Sequence, residues 1–190
     1  MKPRAGSQVP VPAVVREGKG NRAIVLVGFM GAGKTSVGRL LGTRLGWPFE
    51  DLDDRIRARE KRSIEAIFRD GGEAAFRGME RAALQEVVGE LKASPRIVAL
   101  GGGAFARPEN AALLETVGAR VVFLDASVDE LYRRCQQEPG SRPLQRDAKQ
   151  FRELYEQRRP FYLAAGWRID TSGKNLDAVA AEVACSLGLE

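Results

Sequence analysis

The segment Gly28-Phe-Met-Gly-Ala-Gly33-Lys34-Thr35 fits the pattern G-x-x-x-x-G-K-[ST] at every fixed position. Glycines at this spacing let the backbone curl so that several N–H groups point inward at phosphate oxygens. The lysine then neutralises the β- and γ-phosphates, and the threonine hydroxyl ligates Mg2+. Gly31, Ala32, Gly33, Lys34, Thr35 and Ser36 are therefore the expected nucleotide-binding set, with Lys34 acting on the transferred group. The competing reading is a glycine-rich turn with a solvated lysine. Context favours the phosphate loop: an apolar run, Ala23–Val27, precedes it, and a helical pattern with Val37, Leu40, Leu41 and Leu45 on one face follows.

Other residues with chemical potential recur downstream. Asp51-Leu-Asp53 closes a short strand-like run, and on a continuing strand its two carboxylates face the same side. One suits the Mg2+ shell and the other suits orienting an acceptor hydroxyl. The plainer alternative is that Asp51, Asp53 and Asp54 cap a helix and complement its dipole. Arg77 has Glu73 and Glu80 at helical spacing, a bracing that suits a bidentate grip on a carboxylate, or else amounts to surface ion pairs. Gly101-Gly102-Gly103 directly follows another apolar run, where bare backbone can approach a ligand, although a flexible turn accounts for it equally well. Arg142 sits within the polar, Pro- and Gly-containing stretch 136–149, and Arg133, Arg134, Arg158 and Arg159 flank that stretch. Singly these are solvated charges. Gathered around an irregular segment in a phosphate-loop protein, they read as a mobile lid whose Arg142 closes over ATP, with Arg158 and Arg159 supplying a second grip on an anionic substrate and Arg133 and Arg134 against the adenine or the phosphates.

Composition narrows the chemistry. The chain has 190 residues and no histidine, and Cys135 and Cys185 are its only cysteines. Cys/His zinc sites and Ser-His or Cys-His nucleophile pairs are thereby excluded, which leaves carboxylates, lysine, arginine, backbone dipoles and a bound metal. The net charge of +5 resides mostly in the tail: Lys2, Arg4, Arg16 and Lys19 against Glu17 give the first twenty residues +3. The remaining +2 is too small a field for a non-specific nucleic-acid binder. No apolar run reaches eighteen residues, and residues 1–20 lack the apolar stretch of a signal peptide. A flexible N-terminal extension on a cytoplasmic protein is expected.

From about residue 21 onward, short apolar runs alternate with helical patterns, which predicts one three-layer α/β/α domain around a parallel sheet. Strands are expected near 23–27, 49–51, 97–100, 120–124 and 167–170. Helices are expected over 36–45, from Ser63 to Gly71-Gly72, over 73–91, from Pro108 to about 117, over 131–135, 151–165 and 176–187. Ser127-Val-Asp-Glu130 has capping-box spacing. Ligands of such a sheet bind at the carboxyl ends of its strands, where the residues singled out above all fall.

Beyond the phosphate loop, Asp51-Leu-Asp53, Arg62-Ser-Ile-Glu-Ala-Ile-Phe68, Gly72-Glu-Ala-Ala-Phe-Arg77 with Glu80, Gly101–Gly103, Arg142-Pro-Leu144 and Arg158-Arg-Pro-Phe-Tyr162 together resemble the shikimate kinase family. The resemblance runs from about Ala23 to Leu187. It implies a phosphate-loop fold with a five-stranded parallel sheet, a small substrate-binding helical region at about 53–80, a lid at about 136–149, and ATP-dependent phosphorylation of the shikimate 3-hydroxyl. It further implies that Asp53, Arg77, Gly101, Gly102, Gly103 and Arg158 bind shikimate, with Asp53 acting on its hydroxyl. Thr35 and Asp51 would serve Mg2+, Arg142 the phosphates, and Arg134 the adenine. The partners implied are ATP and shikimate, with no nucleic acid or membrane, and a monomer is expected. Arg159 departs from the family pattern, which often has a small or neutral residue there. Two alternatives stand beside this: a gluconate-type kinase sharing only the phosphate loop and sheet, and a sensor that binds without turnover.

Overall fold

The structure is a computed structural model that describes residues 22–137 and 147–190. Its centre is β1 (Ala23–Val27), whose AIVLV sequence is buried along its whole length. Such a strand has no polar face because both faces are covered. Four more strands flank it: β2 (Phe49–Asp51), β3 (Arg96–Ala99), β4 (Arg120–Asp125) and β5 (Trp167–Asp170). All pairings are parallel, in the order β2-β3-β1-β4-β5. The five-stranded parallel sheet expected from sequence is present, and so is the order reversal around β1 that opens a crevice at the strands' carboxyl ends.

Helix α1 (Lys34–Leu45) packs against β3 and against α7 (Leu176–Ser186). It starts two residues earlier than its apolar pattern suggests, because Gly33, at φ 84°, turns the phosphate loop straight into the helix. Helix α2 (Leu52–Glu60) has only Leu52 and Ile56 buried in an otherwise charged sequence. It is fastened by ions instead. Arg55 bonds Glu50 on β2 at 2.5 Å and Glu90 at 2.9 Å, and Arg96 on β3 reaches the same two carboxylates at 3.2 and 2.8 Å. These carboxylates hold the Arg55 guanidinium above its ordinary pKa.

Helix α3 (Ile64–Leu91) is capped by the Ser63 hydroxyl, which accepts from Ala66 N. It is two helices joined across a kink at Gly72, whose φ of 70° and ψ of −176° are not helical. The expected break at Gly71-Gly72 is therefore real. Its second part buries Phe76, Ala83, Leu84, Val87, Val88 and Leu91, which recur at helical spacing. Helix α4 (Pro108–Glu115) starts on its proline. Helix α5 (Val128–Gln137) is opened by Ser127, whose hydroxyl accepts from Glu130 N. Helix α6 (Ala148–Tyr162) is capped by Asp147. Most of the stretch read as a lid, including Arg142, and all of residues 1–20 lie outside the described residues.

Candidate nucleotide and acceptor site

The loop between β1 and α1 closes on itself through its glycines: Gly28, Gly31 and Gly33 have φ of 145°, 78° and 84°. A side chain at Gly31 would meet the Leu131 carbonyl at 2.7 Å and Cys135 Sγ at 2.9 Å, so α5 fits against the loop with no spare space. Cys135 is fully buried there, as packing. Lys34 Nζ donates to the Gly28 and Phe29 carbonyls at 2.9 and 3.0 Å, which holds the ammonium over the curl. Met30, Gly31, Gly33, Lys34, Thr35 and Ser36 line one cleft of about 280 Å³, while Ala32 is buried behind them.

Thr35 Oγ1 donates to Asp51 Oδ2 at 2.6 Å. The other carboxylate oxygen, Oδ1, accepts from Asp53 N at 3.0 Å and caps α2. Both sequence readings of Asp51 thus hold at once: it is a helix cap and it faces the phosphate loop. The Thr35 hydroxyl and the Asp51 carboxylate supply hard oxygens beside the phosphate loop, which suits Mg2+, a cation that takes few protein ligands and completes its shell with phosphate and water. Among the described residues no cluster of three or more acidic, Cys or His side chains forms an all-protein cage.

The expected position of Asp53 is reached by a different route. The strand does not continue; Asp53 is the second residue of α2. The turn into the helix, rather than strand alternation, brings Asp51 and Asp53 to the same cleft, where Asp54, Arg39 and Arg57 also lie. Arg57 pairs with Asp54, and the acidic group raises its pKa against the effect of burial. Neither Arg39 nor Arg57 stands out in the sequence, since nothing local ties them to the loop.

A second pocket, of about 380 Å³, adjoins the first and shares Met30, Asp53, Gly101 and Gly102 with it. Ile64, Phe68 and Phe76 form its apolar wall, and Glu65, Arg77, Glu80, Gly103 and Arg158 complete it. Arg77 is not a surface ion-pair residue. Its side chain is 13% exposed, and Nη1 donates to both oxygens of Glu80 at 3.1 and 2.9 Å. Its Nε and Nη2 donate to Glu73, each at 3.2 Å. Glu80 is itself buried, which pushes its carboxyl above the ordinary carboxylate range, while the Arg77 guanidinium pulls it back down.

The three glycines after β3 each stand against a different group. A Cβ on Gly101 would lie 2.8 Å from Asp53 Oδ1, one on Gly102 would lie 3.5 Å from Arg158 Nη1, and one on Gly103 would lie 2.8 Å from Arg77 Nη2. None of the three has a left-handed φ. The reading of the triplet as a flexible turn is therefore corrected: Gly101 and Gly103 provide space, not conformational freedom, while a Cβ on Gly102 would be in ordinary contact. The turn is also pinned, by Ala104 N to the Gly101 carbonyl at 3.0 Å and by buried Asn110 Nδ2 to the Ala104 carbonyl at 3.0 Å. Tyr162 donates its hydroxyl to the Gly102 carbonyl, and burial pushes that phenol upward.

The flanking arginines separate into distinct roles. Arg134 donates to the Gly31 carbonyl at 3.4 Å, to Thr171 Oγ1 and O at 3.0 and 2.8 Å, and to Glu130 at 2.6 Å. It is thereby fixed beside the phosphate loop. Arg133 is exposed, 3.8 Å from Glu130. Arg158 enters the second pocket, whereas Arg159 turns away to buried Asp125 at 3.3 Å and to Tyr155 Oη at 3.0 Å. The residue that departs from the family pattern is an ion-pair partner, and Arg168 shares the same carboxylate at 2.8 Å.

The shikimate kinase family model matches residues 30–187. A curated relative, the shikimate kinase of Geobacter metallireducens, is 41% identical over 182 residues, covering 94% of this chain and 96% of that protein. Among solved structures, shikimate kinase from Acinetobacter baumannii in complex with shikimate superposes with a TM-score of 0.79 at 32% identity, covering 87% of this chain and 93% of that one. A gluconokinase from Sinorhizobium meliloti superposes with a TM-score of 0.53 at 19% identity, covering 87% and 95%, and shares the fold alone.

Proposed function

The chain belongs to the shikimate kinase family, and from that premise we propose that it transfers the γ-phosphate of ATP to the 3-hydroxyl of shikimate, giving shikimate 3-phosphate and ADP on the route to chorismate and the aromatic amino acids. The observation that carries this reading is the junction of the two pockets. Asp53, Gly101 and Gly102 belong to both, so an acceptor held by Arg77 and Arg158 meets the phosphate loop at Asp53.

In this reading Arg77 and Arg158 hold the shikimate carboxylate, and Ile64, Phe68 and Phe76 cover its ring carbons. Asp53 accepts a hydrogen bond from the 3-hydroxyl and orients its oxygen in line with the γ-phosphorus. The new O–P bond forms as the bond from phosphorus to the β,γ-bridging oxygen breaks. ADP leaves, and the hydroxyl proton passes to Asp53 and on to solvent. Lys34 and the loop N–H groups stabilise charge gathering on the phosphoryl oxygens. Thr35 and Asp51 would hold Mg2+, which neutralises β- and γ-phosphate charge when bound. Arg134 lies beside adenine in this reading. Arg142, outside the described residues, is assigned the phosphates by its motif, in the lid proposed at about 136–149. A monomeric, cytoplasmic enzyme completes the proposal; no helix among the described residues is long and apolar enough to cross a membrane.

The test is a coupled ADP-release assay with Mg-ATP over a panel of hydroxy acids. Shikimate is expected to be strongly preferred. A clear preference for a sugar acid, or ligand binding with no phosphate transfer, would overturn the assignment.

A further inference from the structure

The phosphate loop carries one large side chain that no part of the proposed chemistry uses. Phe29 is fully buried, and it lies behind the cleft, not in its lining. Its ring meets α6: the Phe151 ring stands edge-on at 5.0 Å and the Tyr155 ring at 5.6 Å. Tyr132 of α5 closes the cluster against Phe151 at 5.2 Å. Residues 151, 155, 158 and 162 fall three or four apart and so share a face of α6. The third of them is Arg158, whose Cζ lies 5.9 Å from the centroid of the Phe29 ring. The guanidinium is therefore bounded on one side by the phosphate loop's own aromatic and on another by Gly102, 3.5 Å from Nη1 at the position a Cβ would take.

An arginine that grips a carboxylate in a half-apolar pocket needs its plane fixed before the ligand arrives, because ordering a long side chain costs binding free energy. Arg77 is fixed by two carboxylates. For Arg158 the fixed supports are the Phe29 ring, through its negative face, and the Tyr162 hydroxyl, which lies close enough to interact with it. We infer that Phe29 is a positioning residue for substrate: its ring holds the Arg158 guanidinium in the orientation that receives the acceptor carboxylate. The residue next to Gly28 in the phosphate loop thus serves the acceptor and not the nucleotide. The inference rests on the proposed role of Arg158.

The test replaces Phe29 in the full chain with 4-fluoro-, 3,5-difluoro- and 3,4,5-trifluorophenylalanine, which drain the ring's negative face while keeping its shape. Shikimate Kd is expected to rise stepwise along the series, by roughly two- to fivefold in total, the size of a cation–π contact at a partly exposed site. ATP KM should stay level, and any shift in melting temperature from the buried ring's contacts with Phe151 and Tyr155 should recur unchanged in an Arg158→Ala background. In that background the Kd series should become flat, since the cation it acts through is gone. A flat response in the native background, or an equal response with Arg158→Ala, overturns the inference. Separately, if Arg158→Ala by itself leaves shikimate affinity unchanged, the carboxylate role of Arg158 is what fails.

Discussion

Gly103→Ala isolates the packing of the acceptor site in a single methyl group. The added carbon stands 2.8 Å from Arg77 Nη2, 3.0 Å from Nη1 and 3.2 Å from Cζ, so it meets the flat of the guanidinium. Ordinary contact needs about 3.5 Å, so the group must retreat by roughly half an ångström or more. Retreat is opposed by Glu80, buried behind it at 2.9 Å, and by Glu73 at 3.2 Å. Gly103 has no left-handed φ, so the backbone accepts alanine and the effect falls on Arg77. Losing one charge-assisted hydrogen bond to the substrate carboxylate costs about 2 kcal/mol, or roughly thirtyfold in shikimate affinity. Titration calorimetry with shikimate and the coupled assay at saturating ATP would read it, with ATP KM as the internal reference. Gly102→Ala is the comparison: its methyl lies at 3.5 Å from Arg158 and 3.7 Å from Tyr162, ordinary contact, and should cost only about twofold. If the two variants weaken shikimate equally, or if Gly103→Ala leaves it unchanged, the triplet does not act by fitting three separate groups.

Gly101→Ala places its methyl 2.8 Å from Asp53 Oδ1 and should lower kcat by roughly tenfold or more while shikimate Kd moves less, as a split between turnover and titration would reveal. Arg77→Ala should raise shikimate KM by about a hundredfold with kcat less affected, and Arg77→Lys should restore little, because a point charge cannot span the Glu80 and Glu73 brace. Lys34→Met should abolish phosphate transfer while shikimate still binds, as single-turnover and binding measurements would show. The pH dependence follows from Glu80: burial raises its pKa, so on acidification it takes up a proton before an ordinary glutamate does. Below that point it is neutral and no longer braces Arg77 by charge. Shikimate KM should therefore climb as pH falls toward the carboxylate range, and Glu80→Gln should lose this limb and show the raised KM at neutral pH.

What the sequence makes legible follows from how local each cause is. The phosphate loop, the strand before it, the breaks at Gly46 and Gly72 and the helix start at Pro108 are set by neighbours in the chain, and they appear where local chemistry puts them. Helix α2 is harder to see, since Leu52 and Ile56 give it too small an apolar face and its ties run to Glu50 and Glu90. Asp53 is placed at the right cleft by the wrong local geometry, because a capped helix start and a continuing strand carry the same residues. Arg77 and its two glutamates are readable, but not the burial of Arg77 and Glu80, which depends on the turn after β3. The pairing of Arg159 with Asp125 spans 34 residues and leaves no local trace. The same holds for Arg39 and Arg57 in the phosphate cleft, and for the contact of Phe29 with α6.

The acceptor pocket is built of two unlike materials, and this decides where it can be redesigned. Its polar floor is tight: Gly101 abuts Asp53 and Gly103 abuts Arg77, so enlarging either disturbs turnover or recognition at once. Its apolar wall is looser, since Phe68 is 38% exposed and meets Phe76 in a tilted contact at 4.6 Å. Laboratory evolution toward bulkier or differently substituted cyclic acids would find its viable steps along Ile64, Phe68 and Met30, with the floor left untouched. Acceptor range and catalytic competence are thereby separable traits in one small cavity.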